Sequence, residues 1–463
     1  MLKIYDTLTK KKSAFKPHRD KKVSMYVCGM TVYDYCHIGH ARTMVSFDIV
    51  YRYLTYLGYD VNYIRNITDI DDKIIQRSQK NNESFYELTE RFIQALNEDT
   101  KALNILHAVS EPKATDFIPQ MIQLIETLIQ KKLAYVASNG DVYYSVHEFK
   151  SYGELAHQKL EKLHAGVRVS ILEAKKDPLD FVLWKLAKPG EPSWDSPWGK
   201  GRPGWHIECS AMCLNCLGEQ IDIHGGGFDL IFPHHQNEVA QSEGATGSKL
   251  ANYWMHAGLV TINKEKMSKS LNNFFTIREV LEKYPPEVVR YFMLTSHYRS
   301  QLNYSAELLL QSQSALERLY QALREVDTTF QDNNQTDSES NEFTQRFHDA
   351  MQDDFNTPIA LSVLFDLARE INKTHNPTLA RTLKSLGQLL GLLEADPETF
   401  FQQQAKNDMI SPEEVEKLIS LRNDARAQKN WIEADRIRQE LESKGVLIED
   451  NPTGTRWKRL TVD

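Results

Sequence analysis

Between Val23 and Ile67 the chain reads strand, loop, helix, strand. Val23 to Val27 is apolar and β-branched, His40 to Leu57 carries apolar residues at helical spacing, and Val61 to Ile67 returns to a strand pattern. That succession opens a parallel βαβ unit, which commits the region to an α/β fold. The loop before the helix holds Cys36-His37-Ile38-Gly39-His40. Amides at a helix N-terminus are unpaired donors at the positive end of a dipole, so the place suits phosphate, with His37 and His40 beside it. Past residue 260, Lys266-Met267-Ser268-Lys269-Ser270 adds a polar loop whose two lysines are mobile point charges for a polyphosphate. Each motif alone is weak: a His-x-x-His is usually a packed pair, and a Lys-Ser pentad is usually solvated loop. Together, in this order, they point to an enzyme that activates a substrate with ATP.

Further along, helical patterns cover Ser84 to Leu103 and Pro119 to Lys132, and Asn139-Gly140 sits between strand-like runs from Tyr135 to Val146, which predicts a tight hairpin. Lys185 to Gly204 is rich in Pro, Gly and Trp and reads as an ordered surface loop closing an insertion. Apolar runs return at Gln220 to Ile223 and Tyr253 to Ile262; from Leu308 onward the pattern is helical, so the fold changes class near residue 305. Polar stretches at Gln331 to Asn341 and Asn407 to Ser411 are the linker candidates. A length of 463 residues suggests about three domains, and no apolar run approaches the roughly 20 residues that span a bilayer. Five cysteines do not make a disulfide framework; they fit a reducing compartment, and the expected location is the cytoplasm. A formal charge of -8 gives no global attraction to nucleic acid, so any such partner must meet local basic patches.

The cysteines make metal worth seeking. In Phe232-Pro233-His234-His235-Gln236-Asn237-Glu238, proline at the first position of a helix sets His234 and Glu238 four residues apart on one face. Cys28 ends the first strand of the unit, where open α/β sheets build their sites. Two sets are open on spacing alone. Cys209, Cys213 and Cys216 with His224 would make a local zinc knuckle, and Cys28, Cys209, His234 and Glu238 a tetrahedral site from distant segments. The three cysteines of Trp205 to Leu217 also recur at helical spacing among apolar residues, which suits buried thiols. His224-Gly225-Gly226-Gly227 has the look of a lipase oxyanion loop, but the chain has no Gly-x-Ser-x-Gly turn, so a hydrolase is excluded. Three glycines after an apolar strand instead suit close approach of backbone to a ligand.

With these segments in view the chain resembles the class I aminoacyl-tRNA synthetases, most closely the cysteinyl-tRNA synthetase family, over nearly its whole length. The carrying stretches are Tyr26 to Asp34, Asn66 to Lys73, Ser196 to Cys209, Asp222 to Gly227 with Phe232 to His235, Asp353 to Pro358, and Ala434 to Arg438. The resemblance implies an α/β, Rossmann-like parallel-sheet catalytic domain (1–115 and 205–305), an inserted subdomain (116–204), an α-helical bundle (306–405) and a small C-terminal anticodon-binding domain (406–463). It implies one zinc ion on Cys28, Cys209, His234 and Glu238, leaving Cys36, Cys213 and Cys216 to packing and turning His235 off the metal face. Zinc held by two thiolates, an imidazole and a carboxylate takes the substrate sulfur as a further ligand, and serine, with oxygen in its place, is rejected without an editing domain. His37 and His40 would meet ATP, brought with Mg2+, while Lys266 and Lys269 would balance charge on pyrophosphate. Gly29, Gly39, Thr68, Trp205, His224 and Asp229 fall at positions that line the cysteine and nucleotide pockets.

The implied partners are L-cysteine, ATP and tRNA(Cys), with no membrane and a monomeric state. For the RNA, Arg422, Arg426, Arg436 and Arg438 offer a basic face, and Arg456 to Arg459 brackets Trp457, a ring that could stack on an unpaired base. The nearest rival is a cysteine ligase acting on an amino sugar, which lacks a matching helical end. A zinc-containing RNA-binding protein without catalysis is the other, opposed by the intact His37, His40, Lys266 and Lys269.

Overall fold

A computed structural model describes residues 1–159, 175–262, 265–266, 274–326, 341–402, 410–451 and 454–459. They divide into two compact units, the first made of residues 1–277, 293–304 and 348–358, the second of 278–292, 305–347 and 359–463. The expected boundary near 305 is therefore broken twice: residues 278–292 before it belong to the second unit, and residues 348–358 after it to the first.

The first unit is built on four parallel strands in the order β10 (Ala251–Ala257), β9 (Ile221–Gly227), β3 (Lys22–Thr31) and β4 (Asp60–Thr68). A two-stranded hairpin, β1 (Lys3–Asp6) and β2 (Lys11–Ala14), lies beside β10 through the Thr7 N–H to Trp254 carbonyl bond of 2.9 Å. The chain runs β3, α1 (Ile38–Tyr56), β4, and then returns to the far side of β3 as β9. That reversal is a topological switch point, the place where open α/β sheets leave a crevice beyond their C-terminal strand ends. The sequence is readable here: β3 and β4 extend the expected Val23–Val27 and Val61–Ile67 by a few residues, and α1 starts two residues before the expected His40–Leu57 and ends one short of it. Between β4 and β9 come α2 (Asp72–Asn81), α3 (Phe85–Ala102), α4 (Ile118–Gln130), an antiparallel sheet of β5 (Ala134–Val136), β6 (Val142–Tyr144), β7 (Phe181–Leu186) and β8 (Gly201–Pro203), and α5 (Trp205–Leu217).

Two expectations need correction, and a third holds. The β5–β6 connection is a five-residue loop closed by bonds between Ala137 and Asp141, with Gly140 at φ 88, so the hairpin is there but not a two-residue one. Lys185 to Gly204 is not wholly loop, because Lys185 and Leu186 end β7 and pair with Arg202 and Gly201 of β8. Proline and glycine mark the turn between those strands, and strands this short leave little alternation to read. Pro233 opens the helix as expected: Phe232 before it is extended, and Pro233 to His235 run as a wide π turn directly into α6 (Gln236–Thr246).

Beyond β11 (Val260–Ile262), β12 (Glu265–Lys266) and the short α7 (Ile277–Leu281) come α8 (Pro286–Leu294), β13 (Leu302–Tyr304), α9 (Ala306–Arg324), α10 (Glu342–Gln352), α11 (Thr357–Thr374), α12 (Pro377–Leu389) and α13 (Pro397–Gln402). The chain closes with α14 (Pro412–Ala427), α15 (Trp431–Ser443) and the hairpin β14 (Val446–Asn451) and β15 (Gly454–Arg459). Their core is Ile410, Val415, Ile419, Ile437, Leu441, Val446, Ile448 and Trp457. Within the second unit Glu287 accepts from Tyr320 Oη at 2.7 Å and from the Leu393 amide. Burial outweighs those bonds and pushes its carboxyl up to about 7. A glutamic acid so raised holds its proton longer folded than unfolded, where it titrates near about 4.3, so stability falls as pH rises between those values. Glu287→Gln is expected to flatten that fall in denaturant titrations run from pH 4.5 to 7.5; an unchanged pH slope would remove Glu287 as its source.

Candidate active site and metal centre

At the start of α1, His37 is the N-cap and its Nδ1 accepts from the His40 amide at 3.2 Å; His40 Nδ1 accepts in turn from the His37 amide at 3.3 Å. This is a capping box made by two imidazoles, whose rings stack with centroids 3.5 Å apart. Because each Nδ1 is an acceptor, each neutral ring carries its proton on Nε2 and is a donor there. Gly39 takes the second helical position. The N-terminus of α1 thus combines helix amides with two imidazole donors. Lys266 is placed by backbone pairing of β12 opposite Thr261. Lys269 lies outside the described residues.

Where β3 ends, Cys28 meets Cys209 of α5 and His234 and Glu238 from the turn and helix that follow β9. The four donor atoms lie within 4.8 Å of one another, and all four residues are buried. Cys28 Sγ stands 3.2 Å from Glu238 Oε1, and His234 Nε2 3.1 Å from the same oxygen. A tetrahedral zinc at about 2.0–2.3 Å from each ligand needs donor atoms about 3.3–3.8 Å apart, so this set fits with small shifts. Its charge state fits in part: burial, with Cys209 and Glu238 beside it, pushes the Cys28 thiol up, so this thiol gives up its proton only when a metal takes its place. Cys28, donating to Cys209, holds the Cys209 thiol down at about 6 against the cost of burial. Burial opposes a charged His234, yet Glu238 and Cys209 outweigh it and hold the ring up at about 10. Burial also opposes the Glu238 carboxylate, and His224 with His234 outweighs it, so that Glu238 lies well below the ordinary carboxylate range. Two sulfurs, an imidazole and a carboxylate buried within 4.8 Å of one another are a donor set of the kind that holds a zinc ion. Among the described residues Cys213 and Cys216 join no such cluster: Cys213 is fully buried on α5, and Cys36 packs 3.9 Å from Met30 Sδ.

The surroundings hold the donors in place. His224 Nε2 lies 3.0 Å from Glu238 Oε2 while its ring stacks on Trp254, so it stands behind the carboxylate. His206 Nδ1 is 2.9 Å from His234 Nδ1; burial keeps His206 neutral, which makes it the acceptor. Trp205, 38% exposed, stacks on His234 with centroids 4.3 Å apart. Asn66 accepts from the Gly29 amide on Oδ1 at 2.9 Å, has Cys209 Sγ 3.6 Å from the same atom, and donates to Thr68 Oγ1. Asn66 and His206 escaped the sequence reading, although Asn66 shares a strand face with Thr68 by the period of two, and His206 lies one helical turn from Cys209. His235 does not turn away as expected. Its ring is buried, with Nε2 3.9 Å from Glu238 and Nδ1 2.8 Å from His256, because the wide turn before α6 brings consecutive histidines inward.

Two glycines owe their place to packing. A side chain on Gly29 would strike the Asn66 carbonyl at 1.7 Å, and one on Gly225 would strike the Phe47 ring at 2.2 Å. Asp229 is exposed after β9 and faces a cleft of about 630 Å³ shared with Thr7, His256 and Leu259. In the C-terminal hairpin Trp457 is 1% exposed and donates to Glu416 at 2.6 Å, which corrects the expectation of a base-stacking ring: the cations around it cover a core residue. The exposed ring is Trp431, at 58%. Most of the expected basic face is paired internally: Arg422 and Arg426 with Asp450, Arg436 with Glu433 and Glu440, Arg456 with Glu398 and Lys458 with Glu449. Arg438 is exposed with no acidic partner among the described residues.

A parallel sheet with a nucleotide-type helix start and a buried donor set at its switch point has clear relatives. Residues 14–314 match the model of the tRNA synthetases class I (C) catalytic domain, 346–394 the DALR domain, and 411–457 the cysteinyl-tRNA ligase anticodon binding domain. The chain is 58% identical to the cysteine–tRNA ligase of Methylococcus capsulatus, covering 99% of this chain and all of that one, and 58% identical to that of Azotobacter vinelandii, covering 99% of each. The fold is shared with methionyl-tRNA synthetase of Mycobacterium tuberculosis bound by methionyl-adenylate, with a TM-score of 0.61 at 15% identity over 84% of this chain and 95% of that one. The chain belongs to the cysteine–tRNA ligase family of class I synthetases. No helix among the described residues is long and apolar enough to cross a membrane.

Proposed function

We propose that the chain activates L-cysteine with ATP and Mg2+ and transfers it to the 3′ end of tRNA(Cys), acting as a monomer with one zinc held by Cys28, Cys209, His234 and Glu238. The single observation that carries the zinc reading is the burial of those four donors together at the end of β3. When bound, zinc supplies a soft cation for the substrate sulfur, a preference that serine's harder oxygen does not meet. The remaining work falls to the chain. A cysteine carboxylate oxygen attacks the α-phosphorus of ATP, the bond to pyrophosphate breaks, and the adenylate then passes its acyl group to a ribose hydroxyl with release of AMP. His37 and His40 bind phosphate oxygens through Nε2–H at the helix start, where fixed donors need no reorganisation. Lys266 and Lys269 take up the charge left on pyrophosphate. Thr68 and Trp205 bound the cysteine pocket, Gly29 and Gly39 bring backbone close, and Asp229 takes the ribose. His224 acts through Glu238, so His224→Gln is expected to weaken zinc binding by about 10- to 100-fold in competition with a chromophoric chelator; unchanged affinity would leave His224 without that role. In domain terms, residues 1–115 and 205–305 are catalytic, 116–204 inserted, 306–405 a bundle and 406–463 the anticodon reader. Trp431 and Arg438 replace Trp457 as the groups offered to RNA there. Charging of a mixed tRNA pool tests the whole reading: cysteine should appear on tRNA(Cys) alone, and an amino-sugar acceptor used in preference to tRNA would overturn it.

A further inference from the structure

We propose that the β1–β2 hairpin and the segment leading from it into β3 form a second basic surface that holds the phosphate backbone of the RNA substrate, an inference that rests on the reading of the chain as a tRNA ligase. Residues 3–22 contain eight lysines and arginines against two aspartates, in a chain whose formal charge is -8. Lys10, Lys11, Lys16, Arg19, Lys21 and Lys22 are all exposed. The acids nearby offset them only in part: Asp20 is exposed between Arg19 and Lys21 and Asp60 lies opposite Lys22 on β4, neither in an ion pair among the described residues. Asp6 is buried and spent on the amides of Leu8, Thr9 and Trp254, and Asp353 pairs with Lys12 at 2.7 Å; the other cations have no acidic partner among the described residues.

The contrast with the helical end is what gives this surface weight. RNA affinity depends on cations that release counterions from phosphates, and a guanidinium already paired with a carboxylate does this poorly. At the C-terminal end Arg422, Arg426, Arg436, Arg456 and Lys458 are so paired, whereas the hairpin keeps its charge. The surface is also held rigidly. Phe15 is 5% exposed and packs on Tyr59 and Tyr253, and the Lys16 amide donates to the Tyr253 hydroxyl. With Phe15 turned inward, no large apolar side chain stands among the cations from Thr9 to Lys22, so the patch lacks the anchors by which amphipathic elements enter lipid. Compact lysine charges on a fixed ribbon suit a polyphosphate chain.

The test compares wild-type protein with the variant carrying Lys11→Gln, Lys16→Gln and Lys21→Gln. Dissociation constants for tRNA(Cys) are measured over a range of salt, beside cysteine-dependent exchange of pyrophosphate into ATP. The variant is expected to bind tRNA(Cys) about tenfold more weakly at low salt, with a salt slope shallower by about 2 to 3, and to exchange at the wild-type rate. A second variant, Lys3→Gln with Arg19→Gln and Lys22→Gln, should behave alike, while Lys12→Gln, removing a charge already paired, should change little. Wild-type affinity and slope in both triple variants overturn the surface, as does loss of binding to vesicles of phosphatidylserine and phosphatidylcholine with tRNA binding intact. Wild-type protein that charges no tRNA(Cys) removes the underlying reading and the surface with it; normal charging with unchanged variant affinity removes the surface alone.

Discussion

Cys209→Ser is expected to lower zinc affinity and the cysteine-dependent exchange rate by at least about 100-fold, since changes one layer outside a metal's ligands already cost about 10- to 100-fold. Cys213→Ser, one helical turn along, should leave both within a fewfold of wild type. Its cost should be in stability: Cys213 is fully buried, and a hydroxyl there with no partner costs about 1–3 kcal/mol. The two thiols share a helix, a residue type and the apolar cluster around α4 and α5, but of the two Cys209 is the one whose sulfur also joins Cys28, His234 and Glu238 within 4.8 Å, with Asn66 beside it. Metal content by atomic absorption, measured with exchange kinetics on both variants, separates them. Equal losses would mean that a local set on α5 binds the metal.

Trp457→Ala is expected to destabilise the C-terminal unit by about 3–5 kcal/mol, because it empties the centre of the cluster formed with Ile410, Val415, Ile437 and Leu441 and leaves Glu416 without its indole donor. Denaturant unfolding followed by a probe in that unit should show an early transition. Trp457→Phe should keep most of the packing and bind tRNA(Cys) nearly as wild type. If Trp457→Ala instead left stability unchanged and weakened only tRNA binding, the ring would be reading a base and its buried placement would be wrong.

Both predictions turn on what a sequence reveals and what it hides. The βαβ opening was legible because β3, α1 and β4 are long and strongly patterned, and the His37–His40 pair was legible as a helix start because capping is local chemistry. The donor set was not legible from spacing: Cys28 and Glu238 are 210 residues apart, and only the return of the chain across β3 brings them within 3.2 Å. The resemblance supplied that choice. Asn66 and His206 were missed because a hydrogen-bond acceptor behind a ligand carries no spacing signature. Trp457 was misread because Arg456, Lys458 and Arg459 on either side make a basic, aromatic string whichever way the ring faces, and the alternation of a strand turned it inward.

The central claim is that a buried zinc site selects cysteine before ATP is spent on it. Its most direct measurement is pyrophosphate exchange into ATP by protein of known zinc content, with cysteine and serine compared on kcat/KM. Expected are about one zinc per chain, loss of cysteine-dependent exchange when the metal is stripped with its return on adding zinc back, and a preference over serine of about 10⁴ to 10⁵. Full activity in metal-free protein, or exchange that runs equally with serine, would contradict it.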